Sequence, residues 1–91
     1  MTSERCRVLY SGMVQGVGFR WRVVDAARGI AVTGYVKNLP DGRVELVAEG
    51  ARADVERLLD AVRTRMRSLI EGEVVAWAPA SGEFRGFDVA R

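Results

Sequence analysis

The pattern of apolar and polar residues predicts five strands along the chain. In the first, residues 5–11, Cys6, Val8 and Tyr10 alternate with Arg5, Arg7 and Ser11, the period of a half-buried strand. Four further strands are predicted at 33–39, 43–49, 73–78 and 84–89. The second and third flank a Pro-Asp-Gly sequence, in which proline fixes one turn dihedral and glycine permits a positive φ, so a hairpin is predicted there.

Apolar residues three and four positions apart predict two helices. The stronger signal lies in 51–68, where acidic residues come early and arginines late, the order that the helix dipole favours. The apolar stripe of this helix consists of Val55, Leu58, Leu59, Val62 and Met66. A weaker stripe of Trp21, Val24 and Ala27 or Arg28 predicts a helix over 20–30, whose end is weakened by Gly29.

The predicted order is therefore β-α-β-β-α-β with a short final strand. Each helix has apolar surface for one buried face only, so both are expected to cover one side of a mostly antiparallel sheet. This is the α+β, ferredoxin-like split β-α-β sandwich. Because the 91 residues contain no repeat, linker or low-complexity stretch, residues 1–91 are expected to form a single domain.

The composition excludes several kinds of catalysis. The chain has no histidine, which rules out Ser-His-Asp and Cys-His triads, phosphohistidine intermediates and histidine-ligated zinc. The single cysteine, Cys6, cannot form an intrachain disulfide and is interpreted as a small core residue in a reducing cytoplasm. No apolar run is long enough for a membrane span and no signal peptide is evident, so we expect a cytoplasmic protein without a membrane partner.

The many arginines raise RNA binding by a ferredoxin-like domain as a rival interpretation. Of the 14 basic residues all but Lys37 are arginines, yet 12 acidic residues reduce the net charge to +2. The strands also lack the paired exposed aromatic residues of an RNA-recognition sheet, so no nucleic-acid partner is expected. Arg63, Arg65 and Arg67 are interpreted as a solvated helix end, since alternate helix positions do not share one face.

A glycine-rich loop between the first strand and the first helix is the main candidate for chemistry. In residues 12–20, GMVQGVGFR, three glycines let backbone N–H groups converge, and the helix start adds unpaired N–H groups and a positive dipole end. This concavity suits an oxyanion of about phosphate size; an ordinary tight turn is the alternative. Arg20 follows in the first helical turn, where its guanidinium can fold over the anion and donate two parallel hydrogen bonds.

Two motifs of the chain resemble those of the acylphosphatase family. The family's G-x-VQGV-x-FR loop is present as GMVQGVGFR at 12–20, and its glycine-aromatic-valine-basic-asparagine hairpin as GYVKNLPDGRVE at 34–45. The resemblance covers the whole chain in element order, although residues 68–72, SLIEG, replace the family's usual Gly-Pro-rich segment. It implies hydrolysis of a small-molecule acyl phosphate to a carboxylate and inorganic phosphate, without a metal. We expect no cofactor, and a monomer is the default expectation for the oligomeric state, which the sequence leaves open.

The resemblance also implies roles for individual residues. Arg20 would bind the phosphate, and Asn38 would orient the attacking water. The backbone N–H groups implied in phosphate binding are those of Gln15, Gly16, Val17, Gly18, Phe19 and Arg20. For the Gln15 side chain, closure of the loop is an alternative to substrate contact. Asn38 can also be read as a turn residue bonded to its own backbone.

The implied reaction does not need the missing histidine. A carboxylate leaving group has a conjugate acid of pKa about 4–5, so it departs without a proton at neutral pH. Asp41 and Glu45 are candidate bases by sequence proximity only, and we favour proton transfer from water to a phosphate oxygen of the substrate.

The non-enzymatic alternative is a module that binds phosphate or carbamoyl phosphate within a larger assembly. The aromatic residues Phe19, Trp21, Tyr35 and Trp77 are expected to pack in the core.

Overall fold

The computed structural model describes residues 2–91 and has five strands and two helices in the predicted order. The strands are β1 (Ser3–Gly12), β2 (Thr33–Asn38), β3 (Val44–Ala51), β4 (Ile70–Pro79) and β5 (Phe87–Ala90). The helices are α1 (Phe19–Ala27) and α2 (Arg52–Arg65). Neither helix in this part of the chain has the length and apolar character that a membrane span requires.

The strands form one sheet in the order β4-β1-β3-β2-β5. All neighbours are antiparallel except β2 and β5, which run parallel at one edge. The two helices pack on one face, which confirms the predicted ferredoxin-like α+β sandwich. Because β3 is the central strand and pairs with both β1 and β2, the loop that follows β1 and the hairpin between β2 and β3 are anchored to neighbouring interior strands of the sheet.

The core between helices and sheet confirms the predicted alternation in β1 and the predicted stripe in α2. Cys6, Val8 and Tyr10 are fully buried, and they face the helices together with Val44, Leu46 and Ala48 of β3. All five residues of the α2 stripe are also buried: Val55, Leu58, Leu59, Val62 and Met66. Each buried side chain of this size stabilises the fold by about 1.5–3 kcal/mol relative to exposure.

The predicted apolar stripe of α1 was wrong at Trp21, whereas Ala27 is buried and Val24 packs against the core as predicted. The helix begins at Phe19, one residue earlier than predicted, and its buried residues are Phe19, Val23, Ala26 and Ala27. Phe19 sets this phase, because its ring packs against the buried ring of Tyr10 with centroids 5.4 Å apart. Trp21 consequently points away from the core and is 61% exposed, contrary to its predicted place in the core.

Several other element boundaries also differ from the prediction. Helix α1 ends at Ala27, before Gly29 takes a left-handed φ of +81°. Helix α2 ends at Arg65, and β4 begins at Ile70, so residues 68–72 divide between a turn and the start of the strand. Strand β5 begins at Phe87 because residues 80–86 cross the sheet face that the helices leave open.

The open face of the sheet is organised by a buried carboxylate. Glu49 is 4% exposed and accepts hydrogen bonds from the backbone N–H groups of Ser81 and Gly82 and from the Ser81 hydroxyl, each at 2.9 Å. Tyr35, predicted to lie in the core, is partly buried on this face, with the Phe84 ring 5.7 Å away. The segment 80–86 therefore folds back over the sheet before β5 begins.

Candidate active site

The glycine-rich loop is fixed at both ends and open in its middle. Directly after β1 in the sequence, the Met13 N–H donates to the Leu69 carbonyl at 2.9 Å, and the side chain of the next residue, Val14, is buried. Gly16 and Gly18 then adopt left-handed φ values of +75° and +77°. A residue with a Cβ would pay about 1–2 kcal/mol for that conformation, so glycine is required for the backbone to turn here.

The start of α1 presents unpaired N–H groups. In the portion of the chain that the structure describes, no backbone N–H from Gln15 to Arg20 donates to a protein acceptor. Gly18, the residue before the helix, provides no side-chain cap, and the first turn contains no acidic residue. The positive end of the helix dipole is therefore not neutralised by the protein, as expected of a site for an anion.

Arg20 differs from every other arginine between residues 2 and 91. It alone is both partly buried and without a carboxylate partner. The arginines in ion pairs are Arg5, Arg7, Arg28, Arg43, Arg52, Arg57, Arg63 and Arg65. The other arginines without partners are exposed: Arg22, Arg67, Arg85 and Arg91. Arg20 lies in the first turn of α1, directly after Phe19, whose ring packs against that of Tyr10.

The Gln15 side chain connects the loop to the hairpin between β2 and β3. Its Nε2 donates to the carbonyl oxygen of Leu39 at 2.8 Å and to that of Arg43 at 2.9 Å. The Leu39 N–H also donates to the Arg43 carbonyl, at 2.8 Å, so the amide group binds at the base of the turn. Of the two interpretations left open by the sequence, the structure shows loop closure.

Asn38 is the last residue of β2 and pairs with Val44 across the hairpin. By strand alternation it lies on the helix-covered side of the sheet, as Val36 does. Its Oδ1 is buried and has no hydrogen-bond partner among residues 2–91. The turn is instead held by Asp41, which accepts from the N–H and Nε of Arg43 at 3.0 and 2.8 Å. Asn38 therefore does not make the backbone contact expected of a turn residue.

Both candidate bases, Asp41 and Glu45, are already hydrogen-bonded to other side chains, and the pKa of each is lowered. Glu45 is on the open face, where Arg7 Nε donates at 2.6 Å and the Tyr35 hydroxyl at 2.8 Å. Although burial opposes its ionisation, these two donors hold the pKa of Glu45 below its ordinary value. The hydrogen bond from Arg43 likewise lowers the pKa of the exposed Asp41 carboxyl. Both carboxylates are thus weak bases that are already engaged elsewhere.

The structure also tests other sequence-based interpretations near the site. Arg63 and Arg65 are exposed and paired with Glu73 and Asp25, so they are a solvated, ion-paired helix end. Cys6 is a buried free thiol, as predicted, and desolvation raises its pKa to about 11. Among residues 2–91 no three histidine, cysteine, aspartate or glutamate side chains are grouped as metal ligands.

The chain is similar to known proteins over nearly its whole length. The family model described as acylphosphatase matches residues 6–89. An acylphosphatase of Nocardia farcinica is 44% identical over 85% of this chain and 78% of its own, and one of Thermobifida fusca is 42% identical over 97% and 98%.

Solved structures give the same result. The crystal structure of acylphosphatase from Bacillus subtilis superposes with a TM-score of 0.86 and 29% identity, covering 97% of this chain and 99% of that one. The crystal structure of HypF from T. kodakarensis contains a similar segment, with a TM-score of 0.82 and 30% identity over 96% of this chain but only 12% of HypF.

Proposed function

Because the chain belongs to the acylphosphatase family and is thus a hydrolase acting on acyl phosphates, we propose that residues 15–20 and Asn38 form its active site. The substrate phosphate binds to the backbone N–H groups of Gln15, Gly16, Val17, Gly18, Phe19 and Arg20 and to the Arg20 guanidinium. The observation that carries this assignment is Arg20 itself, the one partly buried arginine without a carboxylate among residues 2–91.

The cradle stabilises the transition state because its donors are fixed before the substrate arrives. Phosphoryl transfer needs in-line positioning and stabilisation of charge on the three equatorial oxygens more than it needs covalent chemistry. Unpaired N–H groups, a helix dipole and an uncompensated guanidinium supply that charge stabilisation without reorganisation. A bidentate contact from the planar guanidinium also fixes the orientation of the phosphate.

Asn38 orients the nucleophile. Its buried Oδ1 has no protein donor and accepts a hydrogen bond from the attacking water. A buried acceptor without a partner normally destabilises a fold by about 1–3 kcal/mol, and that cost is explained if the acceptor serves the reaction.

The proton balance requires neither a histidine nor a carboxylate. The water oxygen forms a bond to phosphorus as the bond to the acyl oxygen breaks, and the carboxylate leaves with the electron pair. A proton of the water passes to a phosphate oxygen, so a substrate dianion gives one carboxylate and one dihydrogen phosphate. The lowered pKa values and outside contacts of Asp41 and Glu45 support this route over a protein base.

We further propose that residues 1–91 form one domain that acts as a cytoplasmic monomer, without cofactor or metal. All groups assigned to the site come from a single chain, which supports the monomer. The free thiol of Cys6 suits a reducing compartment.

A second candidate function is a non-catalytic module that binds phosphate or carbamoyl phosphate for a larger assembly. The observation that favours it is the similarity to a segment of HypF. Near-complete coverage of a relative of similar length, at 98% of the Thermobifida fusca protein, favours the enzyme. Release of phosphate from benzoyl phosphate by the purified chain decides between them.

The test of the proposed site compares Arg20→Gln with Arg22→Gln. The second arginine is exposed and unpaired on the same helix, so it controls for a general change in charge. We expect kcat/KM for benzoyl phosphate to fall 10²–10³-fold in Arg20→Gln, which corresponds to about 3–4 kcal/mol in the transition state. Arg22→Gln should stay within about twofold of the original protein. Equal losses in both variants, or none in Arg20→Gln with an unchanged circular dichroism spectrum, would contradict the assignment.

A further inference from the structure

The two halves of the proposed site come from parts of the chain that are far apart in sequence. The phosphate cradle follows β1, whereas Asn38 ends β2. Among residues 2–91, the hydrogen bonds that join segment 13–18 to the hairpin are the two donated by the Gln15 amide. These two hydrogen bonds therefore help to set the separation between the bound phosphate and the oriented water.

We propose that Gln15 is a positioning residue that sets the distance and angle between the phosphate cradle and Asn38. This inference rests on the roles proposed above for Arg20 and Asn38. Both N–H bonds of the Gln15 Nε2 are directed to the carbonyls of Leu39 and Arg43, so these donors are engaged with the hairpin and not with the phosphate.

The position of the acceptors makes the amide an effective link. Leu39 follows Asn38 directly, and Arg43 precedes the Val44 that pairs with Asn38 across the hairpin. Two hydrogen bonds from one planar amide to both sides of this turn fix an orientation as well as a distance. The Asn38 backbone is thereby held between the β3 ladder and the loop.

Beyond these two hydrogen bonds, the loop is held by apolar packing. Val14 is buried, and Val17 packs against the core that the strands of the hairpin share. The Met13 N–H ties the beginning of the loop to Leu69, beside β4 and not beside the hairpin. Loss of the amide contacts would leave packing alone to set the orientation of the loop against the hairpin, and a misplacement of about 1 Å can lower a rate about 10²-fold.

The proposed link affects turnover more than phosphate binding. The groups assigned to the phosphate all lie in residues 15–20, on one side of the link, and they move together. Only the water held by Asn38 lies on the other side. A residue needed merely for folding would instead weaken phosphate binding and turnover together, or lower the amount of folded protein.

The experiment measures kcat for benzoyl phosphate and competitive inhibition by inorganic phosphate in Gln15→Met and Gln15→Glu. The first keeps side-chain length without an N–H donor, and the second keeps shape while presenting a carboxylate to two carbonyls. In both we expect kcat to fall 10–100-fold while the inhibition constant for phosphate stays within about threefold. Asp41→Ala is the control, because it breaks the Asp41–Arg43 contacts in the same turn and leaves the Gln15 contacts in place. Its kcat should change less than twofold.

A double-mutant cycle with Asn38→Ala distinguishes this inference from the proposed function. If Gln15 acts through Asn38, adding Gln15→Met to Asn38→Ala should lower kcat less than twofold further. The inference would be overturned if the kcat losses of Gln15→Met and Asn38→Ala multiplied in the double variant, or if kcat were unchanged in both single variants of Gln15. Neither result would contradict the proposed site. An unchanged kcat in Asn38→Ala alone would instead overturn the proposed role of Asn38.

Discussion

Replacing Asn38 by alanine should separate stability from activity. Most active residues of a small domain also contribute to its folding, but the Oδ1 of Asn38 is buried without a partner in the described chain. The substitution therefore removes an unsatisfied acceptor from the folded state. In the proposed mechanism it also removes the group that holds the water.

The magnitude follows from the environment of the side chain. Removal of a buried, unpaired carbonyl favours the folded state by about 1–3 kcal/mol. Loss of the contacts of a partly buried side chain opposes this by roughly 1 kcal/mol. We expect the free energy of unfolding to stay the same or to rise by up to about 2 kcal/mol, and each 1 kcal/mol raises Tm by about 4–8 °C for a domain of this size.

The assay combines thermal unfolding with steady-state kinetics on one preparation. Asn38→Ala should lose about 10²–10³-fold in kcat, since oriented groups at a transition state contribute about 3 kcal/mol or more. Inhibition by phosphate should change less than twofold, because the phosphate-binding groups lie in residues 15–20. The matched control is Asp41→Ala, which removes a real turn contact and should lower Tm while kcat holds.

Two results would refute this reasoning. A loss of more than about 1 kcal/mol in the free energy of unfolding of Asn38→Ala would show that Asn38 supports the turn. Loss of phosphate inhibition together with kcat would show that Asn38 binds the phosphate and does not act on the water.

Two further predictions concern groups outside the site. Glu49→Gln should lower the free energy of unfolding by roughly 2 kcal/mol at pH 7, because the carboxylate accepts three hydrogen bonds in a buried position. Although burial opposes ionisation, the donors of Ser81 and Gly82 hold the pKa of Glu49 below its ordinary 4.5, so its contribution is full above pH 4.5 and is lost as pH falls further. Urea unfolding should show a smaller difference in the free energy of unfolding between the original protein and Glu49→Gln at pH 3 than at pH 7. An equal difference at both pH values would contradict a stabilising role of the ionised carboxylate. Cys6 is buried with a pKa raised to about 11, so a thiol reagent at pH 8 should label it only in denaturant; rapid labelling of the native protein would contradict the core position.

Much of the fold is predictable from sequence because its signals are local and periodic. The α2 stripe repeats at helical spacing over three turns, and each of its five residues is buried. Helix α1 has only nine residues, and its phase depends on a tertiary contact between Phe19 and Tyr10. Periodicity alone therefore placed Trp21 on the wrong face.

The late part of the chain shows the same limit. The stretch 84–89 has strand-like residues, yet Phe84 packs on Tyr35 in a loop and the strand begins at Phe87. The later start of the strand follows from the buried Glu49 on β3, because its carboxylate accepts hydrogen bonds from residues 81 and 82 and so holds this segment over the open face. Nothing in the sequence of residues 80–86 indicates that contact.

For the candidate site, the sequence proposes residues but does not indicate their hydrogen-bond and ion-pair partners. That Arg20 lacks a carboxylate, while Arg5 and Arg43 have one, depends on packing between distant segments. The same is true of the Gln15 contacts across 24 and 28 positions. The motif spacing places Gln15 and the hairpin in one predicted site, but it does not predict the hydrogen bonds between them.

The central claim, that the loop and Arg20 hold the phosphate, is tested most directly by a titration with inorganic phosphate followed through backbone amide NMR signals. We predict that the amide protons of residues 15–20 move downfield together and saturate at one phosphate concentration, in the original chain and in Arg22→Gln. In Arg20→Gln the same movement should require at least tenfold more phosphate. Amide signals of 15–20 that stay in place while others respond, or an unchanged midpoint in Arg20→Gln, would contradict the account.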